Sequence, residues 1–284
     1  MQSAPVALVA LLAAAFATAI QAPAPPTQTG TSRLVLASAT DPNNRPLVDL
    51  GPDDFVIQEG NVDREILSVH AADYPIVVLI GTGVDAHSDF PTIQKAAAHF
   101  IQRLGDERPV AIATFGGVPR LIAGFDDDRR TVLAKLSALP VDAAPGRQVL
   151  RGAALAAQTL HATGSLFSSM VVISATPIEA AGTDEDTLGP VVESGAILHI
   201  VANLSSAGQN APGTLRGLVE QTHGVYTPVY AAASFQPALD RLADRLSTEL
   251  IVEYLVPNGS KASDVRVGVK IPGARVRGLG VAPR

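Results

Sequence analysis

The sequence predicts an α/β protein: a doubly wound, mostly parallel sheet with helices on both faces, plus a small antiparallel β subdomain built from both chain ends. Three observations lead there. Apolar runs such as YPIVVLI, SSMVVISA and AILHIVAN alternate with stretches of helical periodicity, the order expected of strands covered on both faces. The flanking segments alternate apolar and polar residues instead, as half-exposed antiparallel strands do. With 47% apolar and 17% charged residues in 284, the chain can bury a large core.

The chain opens on VALVALLAAAFATAI, Val6 to Ile20. This run has the length of a signal-peptide core and is too short for a membrane span of roughly 20 apolar residues. Ala17-Thr18-Ala19 supplies a small-x-small cleavage pattern, although no Lys or Arg precedes Arg33. Residues 1–22 are therefore expected to be a signal peptide and 23–32 a Pro-rich leader, giving an exported protein, periplasmic or secreted. Beyond that segment no membrane association is expected.

Residues 33–73 read as an N-terminal β segment. RLVLASAT is a weakly alternating strand, DPNNRP a dense turn, and DFVIQEG and DREILSVH two period-two strands of a small meander. Residues 74–247 read as the α/β unit. Pro91 opens a helix where a missing N–H costs nothing. Ile93, Ala97, Phe100, Ile101 and Leu104 continue it at helical spacing, and Gly105 stops it. PVAIATF and the segment after Gly116-Gly117 form a hairpin, and helices and buried strands then alternate to FQPALDRLADRLS. Residues 248–284 return to period two in TELIVEYLVP, SDVRVGVKIP and ARVRGLGV. Neither flank can bury a face alone, so the two are expected to pair.

Composition excludes several functions. A net charge of −6, with no basic run longer than a dipeptide, argues against nucleic acid as a partner. The absence of cysteine removes thiol catalysis, disulfides and iron–sulfur clusters. No G-x-S-x-G elbow occurs, and the six histidines form no H-x-x-x-H or H-E-x-x-H pair. The acidic runs Asp126–Asp128 and Asp184–Asp186 precede helices, where carboxylates cap free N–H groups.

The loop after YPIVVLI carries the chemical question. Gly81-Thr82-Gly83-Val84-Asp85-Ala86 fits G-x-G-x-x-A after a strand, the alternative of a Rossmann-like nucleotide-binding enzyme. Against it, His87 to Pro91 delay the helix, Asp85 and Asp89 would face a phosphate, and the next strand ends in no acid.

The element order resembles the von Willebrand factor type A fold. The run PLVDLGPDDFVIQEGNVDREILSVHAADYPIVVLI resembles the β segment before that domain in a group of exported bacterial proteins. The tail, LSTELIVEYLVP and then VKIPGARVRG, resembles the strands that close them. In that family the first loop carries D-x-S-x-S, part of a metal-ion-dependent adhesion site whose open position accepts a partner's acidic residue. By this resemblance the aspartate falls on Gly81, the first serine on Gly83 and the second on Asp85. The later threonine falls near Gln148, and the aspartate ending the fourth strand falls on Ala175. Gly81, Gly83 and Ala175 offer no side-chain oxygen, and one carboxylate, even with Asp89 beside it, cannot replace several waters on Mg²⁺.

These readings converge on a non-enzymatic protein-binding domain with no cofactor and an eroded metal site. Gly81, Gly83, Asp85, Arg147, Gln148 and Ala175 mark its candidate binding face at the strand ends. There an arginine, Arg147, could receive a protein partner's carboxylate in place of the metal. A purely structural envelope module is the remaining alternative.

Overall fold

The computed structural model of the chain describes residues 30–145, 148–178, 185–204, 213–260 and 264–283. The segment read as a signal peptide, most of the leader, and Arg147 lie outside the described residues. Among the described residues no helix is long and apolar enough to cross a membrane.

The chain begins with β1 (Gly30–Thr40), β2 (Phe55–Glu59), β3 (Val62–Arg64) and β4 (Ile66–Ala71). After β1, Asp41 Oδ1 accepts from the backbone N–H groups of Asn43 and Arg45, each at 2.8 Å. This Asx turn lets Asn44 adopt φ 61°. The expected meander forms only in part, as a hairpin of β2 and β3. DREILSVH is cut at Glu65: β3 pairs with β2, whereas β4 pairs with a strand from the far end of the chain.

The α/β unit follows as β5 (Ile76–Gly81), α1 (Phe90–Arg103), β6 (Val110–Phe115), β7 (Arg120–Ala123), α2 (Arg129–Ser137) and α3 (Val149–His161). It continues as β8 (Ser169–Ser174), α4 (Glu185–Glu193), β9 (Ile197–Asn203), α5 (Gly213–Gln221), β10 (Tyr226–Val229) and α6 (Phe235–Ser247). Its sheet runs β10-β9-β8-β5-β6-β7. The sheet is mixed rather than wholly parallel, because the tight turn after β6 returns β7 antiparallel. The other four pairings are parallel. Alternation along β5 sorts its side chains. Ile76, Val78 and Ile80 join a core with α1, α2 and α6, whereas Val77 and Leu79 join one with α3 and α5. All six residues of β5 are buried.

The chain closes with β11 (Leu250–Pro257), β12 (Val265–Val269) and β13 (Arg275–Pro283). A second sheet runs β13-β1-β11-β4 and a third β12-β2-β3, so each mixes strands from both chain ends. Val35, Val252, Tyr254, Phe55 and Ile57 fill the space between these two sheets. Leu36, Ile251 and Leu279 turn the other way, into the core of α1 and α6. Inside the flank, the Arg33 guanidinium donates to the Glu59 carboxylate, with both residues buried. Arg64 Nε approaches the other Glu59 oxygen at 3.6 Å.

Where α6 passes into β11, a polar cluster lies inside the junction of the two units. Tyr74 donates its hydroxyl to Glu249, and Ala72 N–H donates to the Glu249 carbonyl at 2.9 Å. Arg108 stacks 5.0 Å from the Tyr74 ring centroid and donates to the carbonyls of Ala72 and Leu246. Burial pushes the Glu249 carboxyl up to about 7, although the Tyr74 hydroxyl, Arg245 and Arg108 all favour its charge. His199 on β9 is wholly buried, and burial with the nearby Arg245 charge takes it down to about 3.

Candidate functional site

The carboxyl-terminal ends of β5, β6 and β8 form the face where ligands of open α/β sheets bind. Gly81, Thr82 and Gly83 leave β5 as buried backbone, and a single 3₁₀ turn, Val84–Ala86, precedes α1. Neither Gly81 nor Gly83 has positive φ. Gly81 is favoured by space: a Cβ there would stand 3.0 Å from Phe115 Cζ, so the buried ring would have to give by a few tenths of an ångström. The Phe115 ring packs where a side chain at position 81 would project.

The centre of this face is Asp142, in the loop between α2 and α3. Thr82 Oγ1 donates to Asp142 Oδ2 at 2.6 Å, and Gly117 N–H donates to the same oxygen at 3.3 Å. Arg120, from β7, donates to Asp142 Oδ1 at 3.1 Å. Backbone bonds run beside these contacts, Asp142 N–H to the Thr82 carbonyl at 2.6 Å and Val84 N–H to the Ala144 carbonyl at 3.0 Å. The loop after β5 is thus tied to the loop before α3. Gly116 permits it, since a Cβ there would fall 2.6 Å from Asp142 Oδ2 and 2.7 Å from Thr82 Oγ1.

The residues that bond the Asp142 carboxylate, Thr82, Gly117 and Arg120, are other than the sequence-predicted ones. Asp85 is exposed on the 3₁₀ turn. Gln148 precedes α3 without a side-chain capping bond. Ala175 is buried in the core shared with α1 and α6. Arg147 lies outside the described residues. Thr82, Asp142 and Arg120 escaped the sequence reading because their partnership spans up to 60 residues of chain. The one local signal was a lone acid in PVDAAPGRQ, within a loop too long for a plain helix–helix turn. Among the described residues no three His, Asp or Glu side chains converge as a metal shell would.

With this geometry in place, comparison with solved structures is informative. A von Willebrand factor type A protein from Catenulispora acidiphila matches 90% of this chain and 74% of its own, with a TM-score of 0.51 at 11% identity. The fold is of the von Willebrand factor type A kind. Proximal thread matrix protein 1 of the mussel byssus also aligns with this VWA-like chain, with a TM-score of 0.51 at 8% identity. That match covers 71% of the chain and 51% of the mussel protein. A form of the mussel protein with a zinc-occupied MIDAS motif gives a TM-score of 0.51 at 8% identity, over 68% and 50% of the two chains. The VWA-like chain thus spans about half the length of the mussel protein. No family profile and no curated sequence matches it.

Proposed function

We propose that this VWA-like chain is an exported, non-enzymatic domain that binds a protein partner at the strand-end face without a divalent metal. The observation that carries the reading is the engagement of Asp142. Its carboxylate, placed where the fold's ligands bind, already accepts from Thr82, Gly117 and Arg120. An octahedral ion needs about six oxygens at 2.0–2.1 Å, and Gly81, Gly83 and Ala175 contribute no side-chain oxygen. A guanidinium 3.1 Å from the carboxylate supplies positive charge there instead. The donor set does not fit such an ion.

Arg120 keeps 56% of its side chain exposed. It offers the remaining edge of its guanidinium to an acidic residue of the partner. In this reading a fixed cation takes over the bridging role that a metal plays in the adhesion sites the sequence resembles. Export rests on the Val6–Ile20 segment and its cleavage pattern, and N-terminal sequencing of the mature protein tests it.

Calorimetry with Mg²⁺, Mn²⁺ and NAD tests the site, and none of the three is expected to bind. Tight binding of either metal would sink the metal-free reading, and micromolar NAD binding would favour the nucleotide alternative at Gly81–Ala86. Affinity capture of the partner with the wild type, then with Arg120→Ala and Arg147→Ala, tests the face. Capture that survives both substitutions removes it.

A further inference from the structure

The chain carries a net charge of −6, yet one of its clefts is strongly basic. This cleft of ≈ 590 Å³ opens between α6, the paired strands β1 and β13, and the turn after β1. Arg241, Arg245, Arg275 and Arg277 line it. Periodicity puts them there. Arg241 and Arg245 are one helical turn apart on α6 and so share a face. Arg275 and Arg277 are two residues apart on β13, so both side chains leave the same side of the sheet. Their registered partners on β1 are Thr40 and Ser38, which also line the cleft.

Counter-charge is scarce. Asp244 lines the cleft, but it is bonded to Arg103 of α1. Glu249 lies 4.0 Å from Arg245, and its carboxyl is buried on the inner side, in the junction cluster. Among the described residues Arg241, Arg275 and Arg277 have no carboxylate at ion-pair distance. Arg245 and Arg277 stand close enough to repel, and burial adds to the cost of the Arg245 charge. Like charges held along a concave wall concentrate a positive field that an anion relieves.

We propose that this cleft binds a phosphate-bearing ligand, gripped by Arg275 and Arg277 from the strand and Arg241 from the helix, with the hydroxyls of Ser38 and Thr40 as further donors. Donors converging from two elements suit a tetrahedral oxyanion, which accepts in several directions at once. A planar carboxylate is satisfied by a single guanidinium fork. The volume exceeds one phosphate and lies within the range of small-molecule sites. Pro46 gives it an apolar patch for the rest of the ligand. The site shares no residue with the Asp142 face and does not depend on the function proposed for that face.

Titration calorimetry of the full chain with inorganic pyrophosphate is the first measurement, and sedimentation with phosphatidylglycerol or phosphatidylcholine vesicles is the second. The Arg275→Ala/Arg277→Ala double variant removes two exposed strand side chains, so its thermal midpoint without ligand should match the wild type. Affinity for the responding probe should fall at least about tenfold in it, since each charge-assisted bond is worth that much or more. Arg241→Glu should abolish binding. Pyrophosphate binding alone supports a soluble phosphate ligand, and binding to phosphatidylglycerol vesicles alone supports a lipid headgroup. Failure of both probes at millimolar concentration, or binding that the double variant leaves unchanged, overturns the proposal.

Discussion

Thr82 donates its hydroxyl to Asp142 across 2.6 Å, closing the strand-end face with two residues 60 positions apart in the chain. Gly116 lies so close to both that a methyl group there would have to displace one of them. Gly116→Ala should therefore break the hub and cost about 1–3 kcal/mol. Thr82→Val keeps the shape but removes the donor, and should cost about 1–2 kcal/mol. Urea denaturation of the two variants checks this. Wild-type stability in Gly116→Ala would show that the hub adjusts freely.

Glu249 makes stability depend on pH with an unusual sign. Its folded-state value is raised to about 7 from 4.5, so between those values the folded chain holds a proton that the unfolded chain has lost. Stability should then fall as pH rises from 4.5 to 7, by on the order of 3 kcal/mol, and stay reduced above 7. Glu249→Gln is uncharged throughout and should lack this fall. Thermal or urea stability against pH for the two proteins decides it; parallel curves would refute the assignment.

His199 works in the opposite direction. Its folded-state value is depressed to about 3 from 6.5, so the unfolded chain takes up a proton first as pH falls. Stability from this group is intact above 6.5 and is lost between 6.5 and 3, on the order of 4–5 kcal/mol in all. Between 4.5 and 6.5 the His199 and Glu249 slopes oppose one another and nearly cancel. His199→Leu should therefore gain stability on acidification through that window, where Glu249→Gln should lose it.

Arg33 and Glu59 form a buried pair at the heart of the flanking sheets. Removing one partner strands the other charge in the interior, so Glu59→Leu should cost about 3–5 kcal/mol. Replacing both, Arg33→Met with Glu59→Leu, should cost less than the sum of the two singles, because Arg33 is no longer stranded and only the partly exposed Arg64 loses its partner carboxylate. A double-mutant cycle by denaturation measures it, and simple additivity would show that the two charges do not act as a pair.

Much of the central fold is legible in the sequence because its signals are local. Ile76–Gly81 is continuously apolar and lies mid-sheet, buried on both faces. Asp128, the last acid of its run, caps α2 by accepting from Thr131 N–H at 2.6 Å. Signals fail where the determinant is a distant partner. DREILSVH reads as one period-two strand, yet it is divided between two sheets: its first half pairs back with β2, and its second half with β11, which arrives much later in the chain. The glycines at 81 and 83 drew attention to a phosphate or a lost metal, while the polar centre of the face came from Thr82 and a loop aspartate. The basic cleft was invisible for a related reason. A search for runs of Lys and Arg cannot find arginines spaced by four on a helix and by two on a strand.

The strand order of the second sheet also dictates when the chain can finish folding. Leu34–Ala37 is registered against Leu250–Glu253 on one side and, across a bulge between Leu36 and Ala37, against β13 on the other. Among the described residues, β1 therefore pairs with strands that are synthesised much later. Until those emerge, β1 has two open hydrogen-bonding edges, and closing so long a loop carries an entropic cost that slows the step. The α/β unit must condense first, because only then do the end of β4 and the start of β11 stand side by side. During that interval the newborn N-terminal strand is the segment most in need of shielding from other chains.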